Sequence, residues 1–176
     1  MAAWSLTLAR AQEMHTVELE LRRFGDRQEG AYVVTMKYLA GSLALDPNTL
    51  IAKFTASYEN FEDGNPGHID LGQGDTKIAV PELRGMGIGS LMMSLLIEIV
   101  QSKLPPLEVE TIYLSGEDAK TDEERNRRNG FWKKLGYTFT YFDPEERSGQ
   151  SKKMMSDHLI PAAQRLRSGW TIEEID

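Results

Sequence analysis

The segment Val80-Pro81-Glu82-Leu83-Arg84-Gly85-Met86-Gly87-Ile88-Gly89-Ser90 constrains this chain more than any other. It joins a short apolar run, Ile78-Ala79-Val80, to a stretch patterned as a helix. From Gly87 to Ser102, residues Ile88, Leu91, Met92, Leu95, Leu96 and Ile99 recur at helical spacing and predict one apolar face. Ser90, Ser94, Glu98 and Gln101 fall on the other side, Lys103 suits the negative end, and Pro105-Pro106 stop the helix. A run rich in Val, Ile, Thr and Tyr predicts a strand over 107–114. The glycines let the backbone approach a ligand closely, and the free N–H groups and positive dipole at a helix start favour a phosphate. The expectation is a diphosphate cradle between a strand at 77–80 and a helix at 87–102.

A second block lies downstream. Thr121-x-x-Glu124 is a capping box, and Asp122, Glu123 and Glu124 suit the positive start of a helix. Lys133 and Lys134 suit its end, and Gly136 is placed to terminate it. The spacing predicts a helix over 122–135 feeding a strand over 137–142. Arg125-Asn126-Arg127-Arg128 reads as a charged helical surface, with Arg127 and Arg128 solvated.

Arg84-x-x-Gly87-x-Gly89, with its Val-Pro lead-in, resembles the Arg/Gln-x-x-Gly-x-Gly/Ala motif of the GNAT superfamily of N-acetyltransferases. Phe131-Trp132-Lys133-Lys134-Leu135-Gly136-Tyr137 is similar to the family's late Leu-Tyr-Glu-Lys-Leu-Gly-Phe segment. The resemblance covers about residues 70–143. It implies an α/β (α+β) domain with a mixed, mostly antiparallel central sheet flanked by helices. It also implies acetyl-CoA as co-substrate, with direct attack of a primary amine on the thioester in a ternary complex. Backbone N–H groups from Arg84 through Gly85, Met86, Gly87, Ile88 and Gly89 to Ser90 would hold the pyrophosphate. Ile78, Ala79 and Val80 would pair with the pantetheine arm, and an N–H near Val80 would polarise the carbonyl. Asn129 and Lys133 would add coenzyme contacts.

The resemblance leaves the acid–base groups open. Many family members place a Tyr where this chain has Trp132, to protonate the departing thiolate. An indole N–H donates a hydrogen bond but is no practical acid. Ser115, Tyr113 and Tyr141 are the substitutes. The candidates for a base are Asp75, Glu110, Glu117 and Asp118, or water leading to a backbone carbonyl.

Composition sets outer bounds. The chain's 176 residues suit one domain, 1–176, of which 161–176 form a C-terminal extension. A net charge of −7 argues against a nucleic-acid partner and mildly favours cationic acceptors. No stretch reaches the ~18 apolar residues that span a membrane, and no apolar signal core opens the chain. Without Cys there is no disulfide framework or thiolate site, as suits a cytoplasmic protein. His15, His68 and His158 lack metal-ligand spacing, so no metal is expected.

The N-terminal third reads as extended. Val17, Leu19 and Leu21 alternate with charged residues, turn formers follow at 25–30, and a hairpin partner runs from Ala31 to Leu39. Leu50 to Phe61 is ambiguous, since Ile51, Phe54 and Tyr58 also fit helical spacing. The family's usual pair of early helices has no clear pattern here. In the extension, Ala162, Ala163 and Leu166 suggest a short helix, and Trp170, Ile172 and Ile175 favour packing on the domain or a homodimer contact. Two other readings compete with the transferase. One is a non-catalytic acyl-CoA-binding or protein-interaction module, to which Trp132 points. The other is a dinucleotide oxidoreductase, disfavoured by Ser90 and by too few strand–helix units.

Overall fold

Alternation of apolar and polar residues along the first sixty positions produces strands, and they pair in sequence order. The structure, a computed structural model, describes residues 2–10, 12–61, 65–72, 78–161, 166 and 169–174. Strands β1 (Ala2–Arg10), β2 (Glu13–Gly25), β3 (Glu29–Gly41) and β4 (Leu50–Glu59) form an antiparallel meander. The hairpin expected from the alternation at 17–22 is β2–β3, and β1 is an additional strand beside it. The ambiguous segment at 50–61 is the strand β4. Its alternation is broken because Ile51 and Ala52 are both buried, opposite the register shift at Met36/Lys37. That bulge is what imitates helical spacing.

β5 (His68–Asp70) pairs antiparallel with β4, and β6 (Glu108–Val109) pairs parallel with β5. Between them runs α1 (Ile88–Lys103), as a parallel pair requires a crossover. With β10 (Thr171–Glu174) on the far edge, the sheet order is β10-β1-β2-β3-β4-β5-β6. A second sheet, β7-β9-β8, is built from β7 (Tyr113–Leu114), β8 (Phe139–Tyr141) and β9 (Gly149–Ser151). α2 (Asp122–Lys134) precedes β8. The architecture is thus mixed α and β, with a long, mostly antiparallel sheet. No helix precedes residue 81 among the described residues.

Three local expectations need correction. The strand expected at 107–114 is two short strands in different sheets, β6 and β7. After Val109, the Glu110 N–H still bonds the Ile69 carbonyl at 2.8 Å, but the Ile112 N–H bonds Ser151 Oγ at 2.9 Å. The strand expected at 77–80 is not formed over 78–80, and Lys77 lies outside the described residues. Val80 is extended, but Pro81 follows at once and opens a short 3-10 turn, so the chain leaves before a ladder forms. One bond remains, from the Ala79 N–H to the Ile51 carbonyl at 2.7 Å. α1 is also buried over a wider arc than the expected stripe. Met93, Ser94 and Ile97 are buried, whereas Leu95 and Ile99 are only partly so. The helix lies against β3 and β4, and its own sequence carries no record of that wrapping.

One core runs from Leu6 through α1 to Trp170. The described part of the C-terminal extension packs on its own domain: β10 pairs with β1, and Trp170 stacks on His15 with ring centroids 5.3 Å apart. Residues 162–165 of the short helix suggested there lie outside the described residues, and Leu166 is buried. No helix among the described residues is long and apolar enough to cross a membrane.

Candidate functional site

The carboxyl ends of β5 and β6 point to the site. From β5 the chain leads toward the glycine turn and α1, and from β6 it crosses to the second sheet. Strands that diverge in this way leave a crevice beyond their carboxyl ends, the usual ligand position in open α/β sheets. A cleft of about 2100 Å³ opens there, lined by Asp70 and Gly72 after β5 and by Glu110 to Leu114 after β6. Its volume exceeds the ~300–1,000 Å³ of an ordinary small-ligand pocket.

The glycine turn borders this cleft through Arg84, Gly85, Gly87, Ile88, Gly89 and Ser90. Gly85 and Gly87 have φ of 83° and 93°, left-handed values that a side chain resists. Gly87 is the N-cap of α1 and supplies no capping side chain. The first helical bond runs from the Leu91 N–H to the Gly87 carbonyl at 3.0 Å. The N–H groups of Ile88, Gly89 and Ser90 therefore precede any intrahelical acceptor and stand at the positive end of the helix. Arg84 braces the turn, its Nε donating to the Ile78 carbonyl at 2.9 Å.

The predicted coenzyme residues divide by their surroundings. Ile78 lines the cleft, whereas Ala79, Val80 and Met86 do not; the Val80 and Met86 side chains are buried in the core. Asn129 is buried and structural. Its amide donates to the Glu146 carbonyl at 2.9 Å, and its Oδ1 accepts from Arg128 Nε at 3.0 Å. Lys133 pairs with Glu146 at 3.2 Å and sits over the Tyr141 ring, which with Glu146 holds its ammonium above the ordinary value. Neither Asn129 nor Lys133 is among the described residues that line the cleft.

Arg127 and Arg128 do line it. Arg128 is no free surface cation: its guanidinium donates to the carbonyls of Ser115 and Arg147, at 2.5 and 2.7 Å. Burial pushes its pKa below the usual arginine value, against the pull of Asp118, Tyr141 and Asp143. Arg127 and Lys134 of α2, and Lys120 just before it, also line the cleft.

The predicted catalytic residues are dispersed. Trp132 is buried, lines the cleft, and packs edge-on against Phe131 and Tyr137 at 4.9 and 5.3 Å. Ser115 lies off the cleft wall, its Oγ accepting from the Glu117 N–H at 3.2 Å as the cap of a short turn. Asp75 lies outside the described residues. Glu110, Glu117, Asp118 and Tyr113 line the cleft, and Tyr141 does not.

Sequence patterning gives no sign of the wall opposite the glycine turn. Glu29, Glu59, His68 and Asp70 come from three strands far apart in the chain, and only strand register brings them together. Tyr137 closes the Phe131–Tyr137 block, but nothing in that block marks its hydroxyl. Its ring is buried, its hydroxyl has no partner among the described residues, and burial with the nearby Asp70 charge raises its pKa well above the ordinary phenol value. Comparison of the chain with family models, curated proteins and solved structures finds no match.

Proposed function

We propose that this protein is an N-acetyltransferase of the GNAT type, moving an acetyl group from acetyl-CoA to a primary amine. One observation carries the reading. The turn from Arg84 to Ser90, with two left-handed glycines and three helix-start N–H groups, opens onto a large cleft beyond the carboxyl ends of a parallel strand pair. That arrangement suits a diphosphate, and the cleft is large enough for a coenzyme and an acceptor together. The pyrophosphate would take N–H bonds from Ile88, Gly89 and Ser90, with Arg84 and Arg127 supplying positive charge.

The amine attacks the thioester carbonyl carbon after losing a proton. The C–S bond then breaks, and the thiolate leaves. Glu110, Glu117 and Asp118 are among the carboxylates that line the cleft, and they are the candidates to take the amine's proton, directly or through water. Trp132 orients and shields, since its indole holds its proton too firmly to give it to a thiolate. A thiolate is a tolerable leaving group, so the reaction does not require an acid at that position. The same Trp132, packed tightly where the family has its Tyr, favours a second reading as an acyl-CoA-binding module without catalysis.

Calorimetric titration with acetyl-CoA, beside NADH, on the wild type and on Gly87→Trp decides the matter. Acetyl-CoA binding that Gly87→Trp abolishes, with circular dichroism unchanged, supports the cradle. Acetyl transfer to any of a panel of amines then separates the enzyme from the module. No acetyl-CoA binding by the wild type refutes both readings.

A further inference from the structure

The edge of the long sheet opposite β6 is closed by β10, which covers only part of β1. The register runs from Leu6 opposite Glu174 to Ala9 opposite Thr171. One row crosses three strands there: His15 of β2 stands opposite Leu8 of β1, and Leu8 opposite Ile172 of β10. Directly opposed residues share a face, so His15 lies in the apolar row that β10 helps to cover, and it is buried. Trp170, just before β10, is buried too and stacks on the imidazole, with ring centroids 5.3 Å apart and planes inclined by 23°. Four residue pairs and one aromatic contact to a histidine thus fasten the last strand to the sheet.

That histidine has no partner for one of its nitrogens. Nδ1 is buried and makes no hydrogen bond among the described residues. The reason lies in Gly41, opposite His15 in β3, with φ 145°. A Cβ there would stand 2.9 Å from Nδ1, so this ring edge is packed against a residue with no side chain to offer. Among the described residues, the charged and titratable groups around the ring are Glu13 on its own strand, Arg10 on β1 and Tyr38 on β3. Glu13 and Arg10 pair with each other at 3.0 Å and are half-exposed, and Arg10 also sits over the Trp170 ring, 4.9 Å from its centroid. Tyr38 donates its hydroxyl to the Leu43 carbonyl at 3.1 Å. Glu173 of β10 alternates with Ile172 and falls on the other face. None of these groups bonds Nδ1, and burial lowers the imidazole's pKa from 6.5 against the pull of Glu13.

We infer that His15 is a pH-sensitive latch: taking up a proton releases Trp170 and β10 from the edge of β1 while the rest of the sheet stays folded. Protonation puts a hydrogen on both ring nitrogens, and Nδ1–H is then a buried charged donor without an acceptor. Withdrawing Trp170 uncovers a face of the ring and admits water to it. Terminal segments open at lower cost than core strands, which keeps the response local. Linkage bounds its size. With the released imidazole back at 6.5, opening at about pH 5.5 is favoured by at most about tenfold over opening at about pH 7.5. Opening uncovers the backbone of Leu6 to Ala9, on an edge with no charged residue or proline from Ala2 to Ala9. Those are the usual guards against pairing with another strand. The latch does not depend on the transferase reading.

The test is hydrogen exchange of the full chain, read by mass spectrometry at about pH 7.5 and about pH 5.5 and corrected for intrinsic exchange, beside an NMR titration of His15. At both pH values β10 and its partners in β1 should be less protected than β3 and β4, because they open by themselves. Their protection in the wild type should fall about three- to tenfold at the lower pH. His15→Phe keeps a ring against Trp170 but takes up no proton, so its β10 protection should not change with pH. Coupling is reciprocal, so Trp170→Ala should raise the His15 pKa toward 6.5. Unchanged β10 protection in the wild type overturns the inference, as does an equal fall in His15→Phe. So does β10 protection as high as that of β3 and β4, or a His15 pKa that Trp170→Ala leaves in place.

Discussion

Gly87→Ala and Gly89→Ala, two residues apart in one turn, should act in opposite directions. Gly87 has φ 93° as the N-cap of α1, so a Cβ there costs about 1–2 kcal/mol for the left-handed backbone. Alanine is also a poorer N-cap than glycine. Gly89 is inside the helix, and an added Cβ would meet Phe54 Cζ at 3.6 Å and Ile78 Cδ1 at 3.9 Å, ordinary van der Waals contacts. Alanine there relieves the helix of glycine's backbone freedom, worth up to about 1 kcal/mol. The two variants should therefore differ by about 2 kcal/mol. For a domain of 150–250 residues that is about 4–8 °C in thermal midpoint. Urea titration at matched slope and thermal melts by circular dichroism measure the difference. Acetyl-CoA titration supplies a second readout. Gly89→Ala keeps its N–H and should bind within about threefold of wild type, whereas Gly87→Ala adds a methyl at the cap and should bind about tenfold weaker or worse. Equal stabilities, or a larger loss at Gly89 than at Gly87, would refute the geometry of the turn and the cradle drawn from it.

Other perturbations test other parts of the fold. Thr121→Ala removes the side chain that accepts the Glu124 N–H at 3.2 Å and should cost about 1 kcal/mol in urea denaturation, with Thr121→Ser close to wild type. Trp170→Ala empties a buried site on His15 and releases the β10 edge, costing about 3–5 kcal/mol; a loss under 1 kcal/mol would show that the extension does not dock as described. His15 is buried, and desolvation lowers its pKa from 6.5. The unfolded chain therefore binds the proton first as pH falls, so this contribution is complete above about 6.5 and is lost below it, through the lower folded pKa. His15→Phe should flatten the dependence of thermal midpoint on pH over that window, and an unchanged profile would exclude His15 as its source.

Elements that depend on neighbours along the chain are legible in the residues themselves. α2 shows its start in Thr121 and Glu124 and its end in Gly136, because capping is a matter of residues three or four apart. The glycine turn is similarly local and its position follows from residues 84–90, whereas it is the structure that makes Gly85 and Gly87, and not Gly89, left-handed. Choices of partner are not legible in the same way. The run at 107–114 has uniform strand composition, yet bonds to Ile69 on one side of Glu110 and to Ser151 on the other divide it between sheets. Asn129 and Lys133 look available on a helical surface until Glu146 arrives from the loop after β8 to occupy both.

Residues a few positions apart are enough to say where the helices begin, that the N-terminal third is extended, and that a glycine turn precedes α1, since these depend on φ preferences, capping and periodicity. No local pattern says that Glu29, Glu59, His68 and Asp70 share one face, or that this face meets the glycine turn across a single cleft. Strand register is the reason. A shift of one residue in any pairing turns every side chain of that strand to the opposite face, and that choice is made by the whole core rather than by the segment itself.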